Sequence, residues 1–164
     1  MRLIAGAPIE SRAMTQVLLV CLANVCRSPM ACAVAQQLAR NQGRAKQLHF
    51  ASAGTHVHSG KRMDARAQAV LLKHQYAPPK TRSRGVSAQD FEQFDLILAM
   101  DQANLVALQR QCPASRHDKL RLLLSYAPDL GLTEVPDPYY GDLAGFERVL
   151  GLCEAGVGGL LAQL

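Results

Sequence analysis

A cysteine and an arginine separated by five residues carry the most specific chemistry in this sequence. Cys21 is followed by Leu-Ala-Asn-Val-Cys, then by Arg27, Ser28 and Pro29. A loop of this length can curl so that the thiol and the guanidinium face one bound anion. Arginine binds two phosphate oxygens through its planar fork, and the same positive environment favours a nucleophilic thiolate. The spacing predicts nucleophilic chemistry at a phosphate group.

The position of this segment in the predicted secondary structure fits the same chemistry. Residues 17–21, VLLVC, form a continuous apolar run typical of a buried parallel strand. Met30, Val34 and Leu38 recur every four residues and indicate a helix that ends near Gly43. Backbone N–H groups at a helix start favour a phosphate dianion, and Pro29 suits a first helical turn.

A second chemical candidate is a carboxylate held between two prolines. Pro136 and Pro138 confine Asp137 to an extended, rigid presentation. Taken alone, a Pro-Asp-Pro sequence is more typical of a surface turn. Its reading as a catalytic acid depends on the cysteine loop upstream.

Strands and helices alternate along the rest of the chain. Further strands are expected at residues 48–52, 95–100 and 120–124, and further helices at 65–74, 101–111 and from about 143 to the end. Asp64 and Asp101 are expected to cap two of these helices. The predicted fold is α/β: a single three-layer sandwich with a central, mainly parallel four-stranded sheet, helices on both faces and the phosphate-binding loop after strand 1.

The last predicted helix contains an unusual number of glycines. Residues with three-and-four spacing run down one face from Leu143 to Leu164, but Gly151, Gly156, Gly158 and Gly159 lower its helix propensity. Docking on the sheet is therefore expected to hold this helix in place.

Length and composition limit the classes of protein that fit. The 164 residues are 49% hydrophobic and 19% charged, which describes a single globular domain rather than a disordered or coiled-coil chain. No apolar stretch approaches the length of a membrane span. We expect residues 1–15 to be an irregular extension and 16–164 to be the domain. Five cysteines without an export signal indicate free thiols and a cytoplasmic location.

The charge is distributed unevenly along the sequence. The net charge is +5 overall, but +11 for residues 1–89 and −6 for residues 90–164. This asymmetry fits either an anion-attracting surface or two halves that neutralise each other on folding. Nucleic acid is not an expected partner, because four Phe, four Tyr and no Trp give no basic–aromatic stacking platform.

The sequence CLANVCRSP at residues 21–29 resembles the loop of low-molecular-weight protein tyrosine phosphatases, whose usual form is CLGNICRSP. The resemblance continues through SAGT at 52–55, FDLILAMDQANL at 94–105 and DPYYG at 137–141. It extends over essentially all of the chain after Met14. The activity it implies is hydrolysis of phosphotyrosine monoesters through a phosphocysteine intermediate.

The resemblance also implies residue roles. Cys21 would attack phosphorus, Arg27 would bind the phosphate, and Asp137 would act as general acid and then as base. Ser28 would steady the thiolate and Asn24 would hold the strained loop, which Leu22, Ala23, Val25 and Cys26 complete. No metal or cofactor is expected. Ala23 replaces a glycine, so a positive φ at this position would strain the loop.

Other residues implied by the resemblance surround the reacting group. Tyr139 and Tyr140 are expected to line the substrate cleft, as either contacts or buried wall residues. His58 stands where many relatives carry an aromatic residue, which indicates a different substrate preference. Cys26 is expected either to form a reversible disulfide with Cys21 under peroxide or only to pack.

Three other functions remain open for the same loop. Related arsenate reductases carry extra cysteines, whereas residues 54–111 contain none. Protein arginine phosphatases resemble this loop with Thr in place of Val25. A non-catalytic phosphate-binding module would need neither Cys21 nor Asp137. The expected partner is a phosphotyrosine protein, with a bacterial tyrosine kinase as the candidate by analogy, and the expected state is a monomer.

Overall fold

A parallel sheet of four strands lies at the centre of the computed structural model, which describes residues 14–58 and 60–164. The strands are β1 Thr15–Cys21, β2 Leu48–Gly54, β3 Leu96–Ala99 and β4 Leu120–Leu122, in the order β2-β1-β3-β4. All three strand pairs are parallel. The predicted mainly parallel sheet is therefore confirmed, and β1 lies between two partners.

Helices cover both faces of this sheet. They are α1 Arg27–Asn41, α2 Ala65–Lys73, α3 Ala88–Gln93, α4 Gln102–Gln111 and α5 Leu143–Gln163. Val17 and Leu19 of β1 pack in one core with α1, α2 and α5, whereas Leu18 and Val20 pack in a second core with α3 and α4. This alternation explains why β1 reads as an unbroken apolar run, and it confirms the three-layer sandwich.

The two predicted helix caps are present. The Asp64 carboxylate accepts hydrogen bonds from the backbone N–H groups of Arg66 and Ala67 at the start of α2. The Asp101 carboxylate accepts one from the backbone N–H of Asn104 at the start of α4. Asp101 also accepts a hydrogen bond from Arg27, and Asp64 lines the cavity that contains Cys21. The starts of α2 and α4 are therefore positioned by residues that also lie at the candidate functional site.

Several bounds differ from the sequence prediction: β2 extends to Gly54 rather than 52, and β3 covers 96–99 rather than 95–100. β4 ends at Leu122 rather than 124, because residues 123–126 turn into a 3₁₀ segment. Helix α3 was not predicted from its six residues; it begins where the Asp90 carboxylate accepts from the backbone N–H of Ser87. The predicted N-terminal extension falls outside the described residues, apart from Met14 and Thr15, and Thr15 already begins β1.

Two glycines of α5 allow the helix to approach the 3₁₀ segment closely. A Cβ atom on Gly159 would lie 1.8 Å from the backbone oxygen of Tyr126, and one on Gly156 would lie 2.7 Å from Cγ of Leu123. Helix α5 packs mainly against α1 and this segment. Two of the four glycines that lower helix propensity are thus positions at which α5 docks, whereas Gly151 and Gly158 have open space at the Cβ position.

No helix in the described part of the chain is both long and apolar enough to cross a membrane. This finding agrees with the absence of a long apolar run in the sequence.

We predict that Gly159→Ala destabilises the fold. The added methyl group would overlap the backbone of Tyr126, at an expected cost of about 2 kcal/mol or more in the free energy of unfolding. Urea denaturation provides the measurement. Gly151→Ala is the matched control, because nothing lies within 4 Å of its Cβ position. That control should gain about 0.5–1 kcal/mol from helix propensity. Equal effects of the two substitutions would contradict the close-approach explanation.

Candidate active site

The cysteine loop joins the central strand to the first helix. Cys21 is the last residue of β1 and Arg27 is the first residue of α1, so residues 22–26 form the whole connection. In parallel α/β sheets, ligands bind at the carboxyl ends of strands. The structure therefore places the thiol and the guanidinium at one edge of the sheet, as the sequence predicted.

Asn24 holds the turn of this loop. Its φ of 59° lies in the left-handed region, which asparagine tolerates better than most residues. Its side-chain amide donates to Ser28 Oγ at 2.8 Å and to Ser52 Oγ at 2.9 Å, and its oxygen accepts from the backbone N–H of Arg84 at 3.0 Å. Ala23 does not have a positive φ. The replacement of glycine at position 23 therefore adds no strain of that kind.

Gly54 forms the wall behind the loop. It is paired with Cys21 in the β1–β2 register, and a Cβ atom here would lie 2.7 Å from the Leu22 oxygen and 3.0 Å from the Asn24 nitrogen. The next two residues after Gly54 donate backbone hydrogen bonds to Cys21 and Leu22. The end of β2 therefore supports the loop through its backbone, at a distance that leaves no room for a side chain.

A hydroxyl group contacts the candidate nucleophile directly. Ser28 Oγ lies 3.0 Å from Cys21 Sγ, and both residues are buried. Ser28 Oγ accepts from the Asn24 amide and also lies 3.3 Å from the Ala53 carbonyl oxygen, so its proton can be donated either to that carbonyl or to the Cys21 sulfur. A hydroxyl group at this distance can donate a hydrogen bond to a negatively charged sulfur during a reaction.

The guanidinium of Arg27 is buried and held by several acceptors. Its side chain is 3% exposed, and Nη1 donates to Asp101 Oδ2 at 2.6 Å and to the Val135 oxygen at 3.0 Å. Nη2 lies 3.7 Å from Asp137 Oδ2. These contacts fix one edge of the fork, so that Nη2 remains directed towards the cavity side where Asp137 lies.

Asp137 lies on a loop that is anchored to the sheet just before it. The backbone N–H of Val135 donates to the oxygen of Met100, the residue after β3, at 2.8 Å. The Asp137 side chain is 41% exposed and accepts from the backbone N–H of Tyr139 at 3.1 Å. The carboxylate is thus close to Arg27 and open to the solvent side of the cavity, where a ligand can reach it.

Arg66 of α2 connects this acid loop to the other side of the site. Its guanidinium donates to the backbone oxygens of Tyr139 and Gly141 and pairs with Asp64 at 3.0 Å. It also lies over the ring of Phe146, 4.6 Å from the centroid. Although partial burial opposes the shift, hydrogen bonds from Arg66 hold the pKa of Asp64 below its usual value.

One cavity with a volume of about 330 Å³ lies at this edge of the sheet. Cys21, Arg27, Asp137 and the loop residues Leu22, Ala23, Val25 and Cys26 contribute to it. The predicted cleft residues His58, Tyr139 and Tyr140 line it as well. The two tyrosine rings meet edge to face at 5.0 Å, and Tyr140 is 95% exposed. The described residues contain no group of three or more His, Cys, Asp or Glu side chains arranged for a metal ion.

The second loop cysteine is in a different environment from the first. Burial and the nearby Asp64 carboxylate raise the pKa of Cys26 to about 12, and the charge of Cys21 adds to this effect. Cys26 is therefore a neutral thiol at neutral pH. Both cysteines are free in the structure.

Several residues of the site were not singled out from the sequence. Asp101 was predicted only as a helix cap, and Arg66 and Ser52 were given no role. Lys61 and Arg62 also line the cavity. The excess of basic residues in the first half of the chain is the sequence feature that could have indicated Lys61 and Arg62.

Comparisons with known proteins identify the family. The family model described as low molecular weight phosphotyrosine protein phosphatase matches residues 16–164. A low molecular weight protein-tyrosine-phosphatase from Streptomyces coelicolor is 42% identical over 153 residues, which is 91% of this chain and 93% of that protein. The low molecular weight phosphotyrosine protein phosphatase of Homo sapiens is 38% identical over 152 residues, or 88% and 92% of the two chains.

A solved structure is similar over the same range. The crystal structure of YfkJ from Bacillus subtilis has a TM-score of 0.88 at 36% identity and covers 93% of this chain and 96% of its own. The similarity thus extends over nearly the whole of both chains. The chain belongs to the low molecular weight phosphotyrosine protein phosphatase family.

Proposed function

We propose that this chain hydrolyses phosphotyrosine monoesters, with Cys21 as nucleophile, Arg27 as phosphate ligand and Asp137 as general acid and base. One observation carries the assignment of roles. The three side chains line a single cavity, in which Ser28 contacts the sulfur and Asp137 lies 3.7 Å from Arg27. Nucleophile, anion ligand and proton donor are the three groups that this reaction requires.

In the first step, the thiolate of Cys21 attacks phosphorus and the bond from phosphorus to the phenolic oxygen breaks. The leaving oxygen takes a proton from Asp137, so tyrosine departs neutral. Ser28 stabilises the thiolate before attack, and Arg27 balances the charge on the transferring phosphoryl oxygens. Because Asp101 and Val135 hold Arg27 in place, this stabilisation needs no rearrangement of the guanidinium.

In the second step, water attacks the phosphocysteine. Asp137, now ionised, accepts a proton from that water, and the sulfur leaves as the thiolate. Inorganic phosphate is released and the protonated Asp137 is restored. The open position of Asp137 allows water to reach it between the two steps.

Two related reactions fit the residues less well. Arsenate reduction coupled to thioredoxin uses extra cysteines, and residues 54–111 contain none. For phosphoarginine, the loop position that carries Thr in the resembling phosphatases is Val25, an apolar wall of the cavity. An apolar side chain here favours an aromatic ring over a guanidinium.

The wider setting of the activity is also a proposal. We place the catalytic domain at residues 15–164, because Thr15 is already the first residue of β1. The five free cysteines support a reducing, cytoplasmic location. We also propose that the enzyme is a monomer. Its proposed substrates are phosphotyrosine proteins, among them a bacterial tyrosine kinase.

We predict that Cys21→Ser abolishes turnover of both p-nitrophenyl phosphate and a phosphotyrosine peptide. Loss of the nucleophile should lower kcat by more than about 10³-fold. Steady-state phosphate release, with added chelator, provides the measurement. The variant should still bind phosphate, because Arg27 and the loop backbone are unchanged. Activity equal to that of the original protein would exclude the phosphocysteine route, whereas absence of turnover in the original protein itself would leave a phosphate-binding module.

We expect Asp137→Asn to slow hydrolysis in a way that depends on the leaving group. Protonation matters most for a basic phenolate, so kcat on phosphotyrosine should fall by about 10²–10³-fold. The loss should be much smaller on p-nitrophenyl phosphate, because nitrophenolate leaves without a proton more easily. An equal loss on both substrates would assign Asp137 to binding rather than to proton transfer.

We also propose that Cys26 protects Cys21 from irreversible oxidation. Hydrogen peroxide converts the Cys21 thiolate to a sulfenic acid with release of hydroxide, and the Cys26 thiol then condenses with that sulfenic acid to form a disulfide and one water. Two electrons from an added dithiol restore both thiols. Because the pKa of Cys26 is raised to about 12, its thiolate fraction should increase about tenfold per pH unit between pH 7 and 9.

This role predicts a difference in recovery after a peroxide pulse. Dithiothreitol should restore the activity of the original protein and of the control Cys112→Ser, but not that of Cys26→Ser. Disulfide formation, measured by mass spectrometry, should accelerate as the pH rises. Full recovery of activity in Cys26→Ser would contradict the protective role and show that Cys26 only packs.

A further inference from the structure

The cations near the active site fall into two groups. Residues 56–85 contain seven Lys and Arg side chains and one acidic residue, Asp64. Arg66, Lys73 and Arg84 form salt bridges with carboxylates. The other four make no salt bridge to any residue in 14–58 or 60–164, and all four are exposed: Lys61, Arg62, Lys80 and Arg82.

These four exposed cations lie along two adjoining cavities. Lys61 and Arg62 line the cavity that contains Cys21. Arg62 also lines a second groove of about 510 Å³, together with Lys80 and Arg82. Because Arg62 belongs to both, the positive surface continues from the active site into the second groove. We call this groove the basic groove.

Carboxylates do not balance this charge locally. The carboxylates of the active-site cavity are Asp64, which pairs with Arg66, and Asp137, which lies near Arg27. Among the described residues, none of those lining the basic groove is acidic. The groove therefore presents a net positive potential beside the catalytic cavity.

Backbone hydrogen bonds connect the two sides of this surface to the catalytic loop. The N–H of Ser83 donates to the oxygen of Lys61 at 2.8 Å, and the N–H of Lys61 donates to Ser83 Oγ at 2.8 Å. One residue further on, the N–H of Arg84 donates to Asn24 in the loop. The backbone that carries Lys61 and Arg82 is thus linked to the catalytic loop by hydrogen bonds.

The basic groove also has apolar surface. Leu72 is 63% exposed on its wall, and Pro78 and Pro79 are partly exposed beside it. Apolar contact combined with cations suits a polypeptide segment that carries carboxylates better than it suits a free inorganic anion.

We propose that the basic groove binds an acidic segment of the phosphoprotein substrate, so that the enzyme prefers phosphotyrosine with Asp or Glu residues nearby. This inference rests on the proposed function and names its substrate class. The groove contributes through attraction and orientation of the substrate. Bond breaking remains with the residues of the catalytic cavity.

Matched peptides provide the test. One phosphotyrosine peptide carries Glu within five residues on the N-terminal side, one on the C-terminal side, and a third has Gln at every such position. Their kcat/KM values are compared for the original protein and for Lys80→Gln/Arg82→Gln. The control is Arg110→Gln/Arg148→Gln, which removes two exposed arginines that line neither cavity.

We expect at least one acidic peptide to be hydrolysed more efficiently than the Gln peptide at low salt. The Lys80→Gln/Arg82→Gln variant should lose about three- to tenfold in kcat/KM on that peptide, as expected for two surface charge contacts. Its turnover of p-nitrophenyl phosphate and of the Gln peptide should not change. Raised ionic strength should reduce the preference.

Two outcomes would overturn the proposal: equal kcat/KM for the three peptides, or equal losses in the groove variant and the control. Fluorescence anisotropy with Cys21→Ser measures peptide binding without hydrolysis. It therefore separates failure of the groove proposal from failure of the proposed function. Hydrolysis of p-nitrophenyl phosphate without any preference in kcat/KM or binding would refute the groove alone. Preferential binding of an acidic peptide without any hydrolysis would support the groove and refute the phosphatase assignment.

Discussion

The guanidinium of Arg27 is almost wholly excluded from solvent, and a charge in that position is tolerated only when neighbouring groups compensate it. Asp101 and the Val135 carbonyl supply most of that compensation, and Asp137 lies just beyond them. These partners follow the end of β3 or precede the last helix. Burial of one charge at the start of α1 therefore brings three separate parts of the chain together. The cavity that contains Cys21 lies where the segments that compensate the charge of Arg27 meet.

A second constraint acts on the backbone of the loop. Asn24 in the left-handed region costs conformational energy, and three hydrogen bonds from its side chain offset that cost. Gly54 brings β2 into contact with the same backbone. As a result, the Cys21 sulfur is positioned by main-chain packing and by one amide side chain, and it does not depend on the exposed cleft residues. Variation at Tyr140 or His58 can therefore alter substrate contacts without moving the sulfur.

The sequence alone was sufficient where the signal is local. The apolar run of β1, the caps Asp64 and Asp101, and the spacing of Cys21 and Arg27 all predicted what the structure contains. Contacts between distant segments gave no such signal. Arg66 binds carbonyls more than seventy residues away, and Gly159 meets Tyr126 across the core, so a sequence pattern cannot reveal either role. Helix α3 escaped prediction because six residues are too few for periodicity to be recognised.

Asp101 performs two tasks with one carboxylate: one oxygen caps α4 and the other binds Arg27. Glutamate would preserve the charge but displace it by a methylene, and asparagine would preserve the cap but not the charge. Neither replacement satisfies both demands. The same argument applies to its partner, because lysine cannot reproduce the fork of Arg27. The exposed ring of Tyr140 carries no such double contact, so a substitution there leaves the Arg27–Asp101 pair intact.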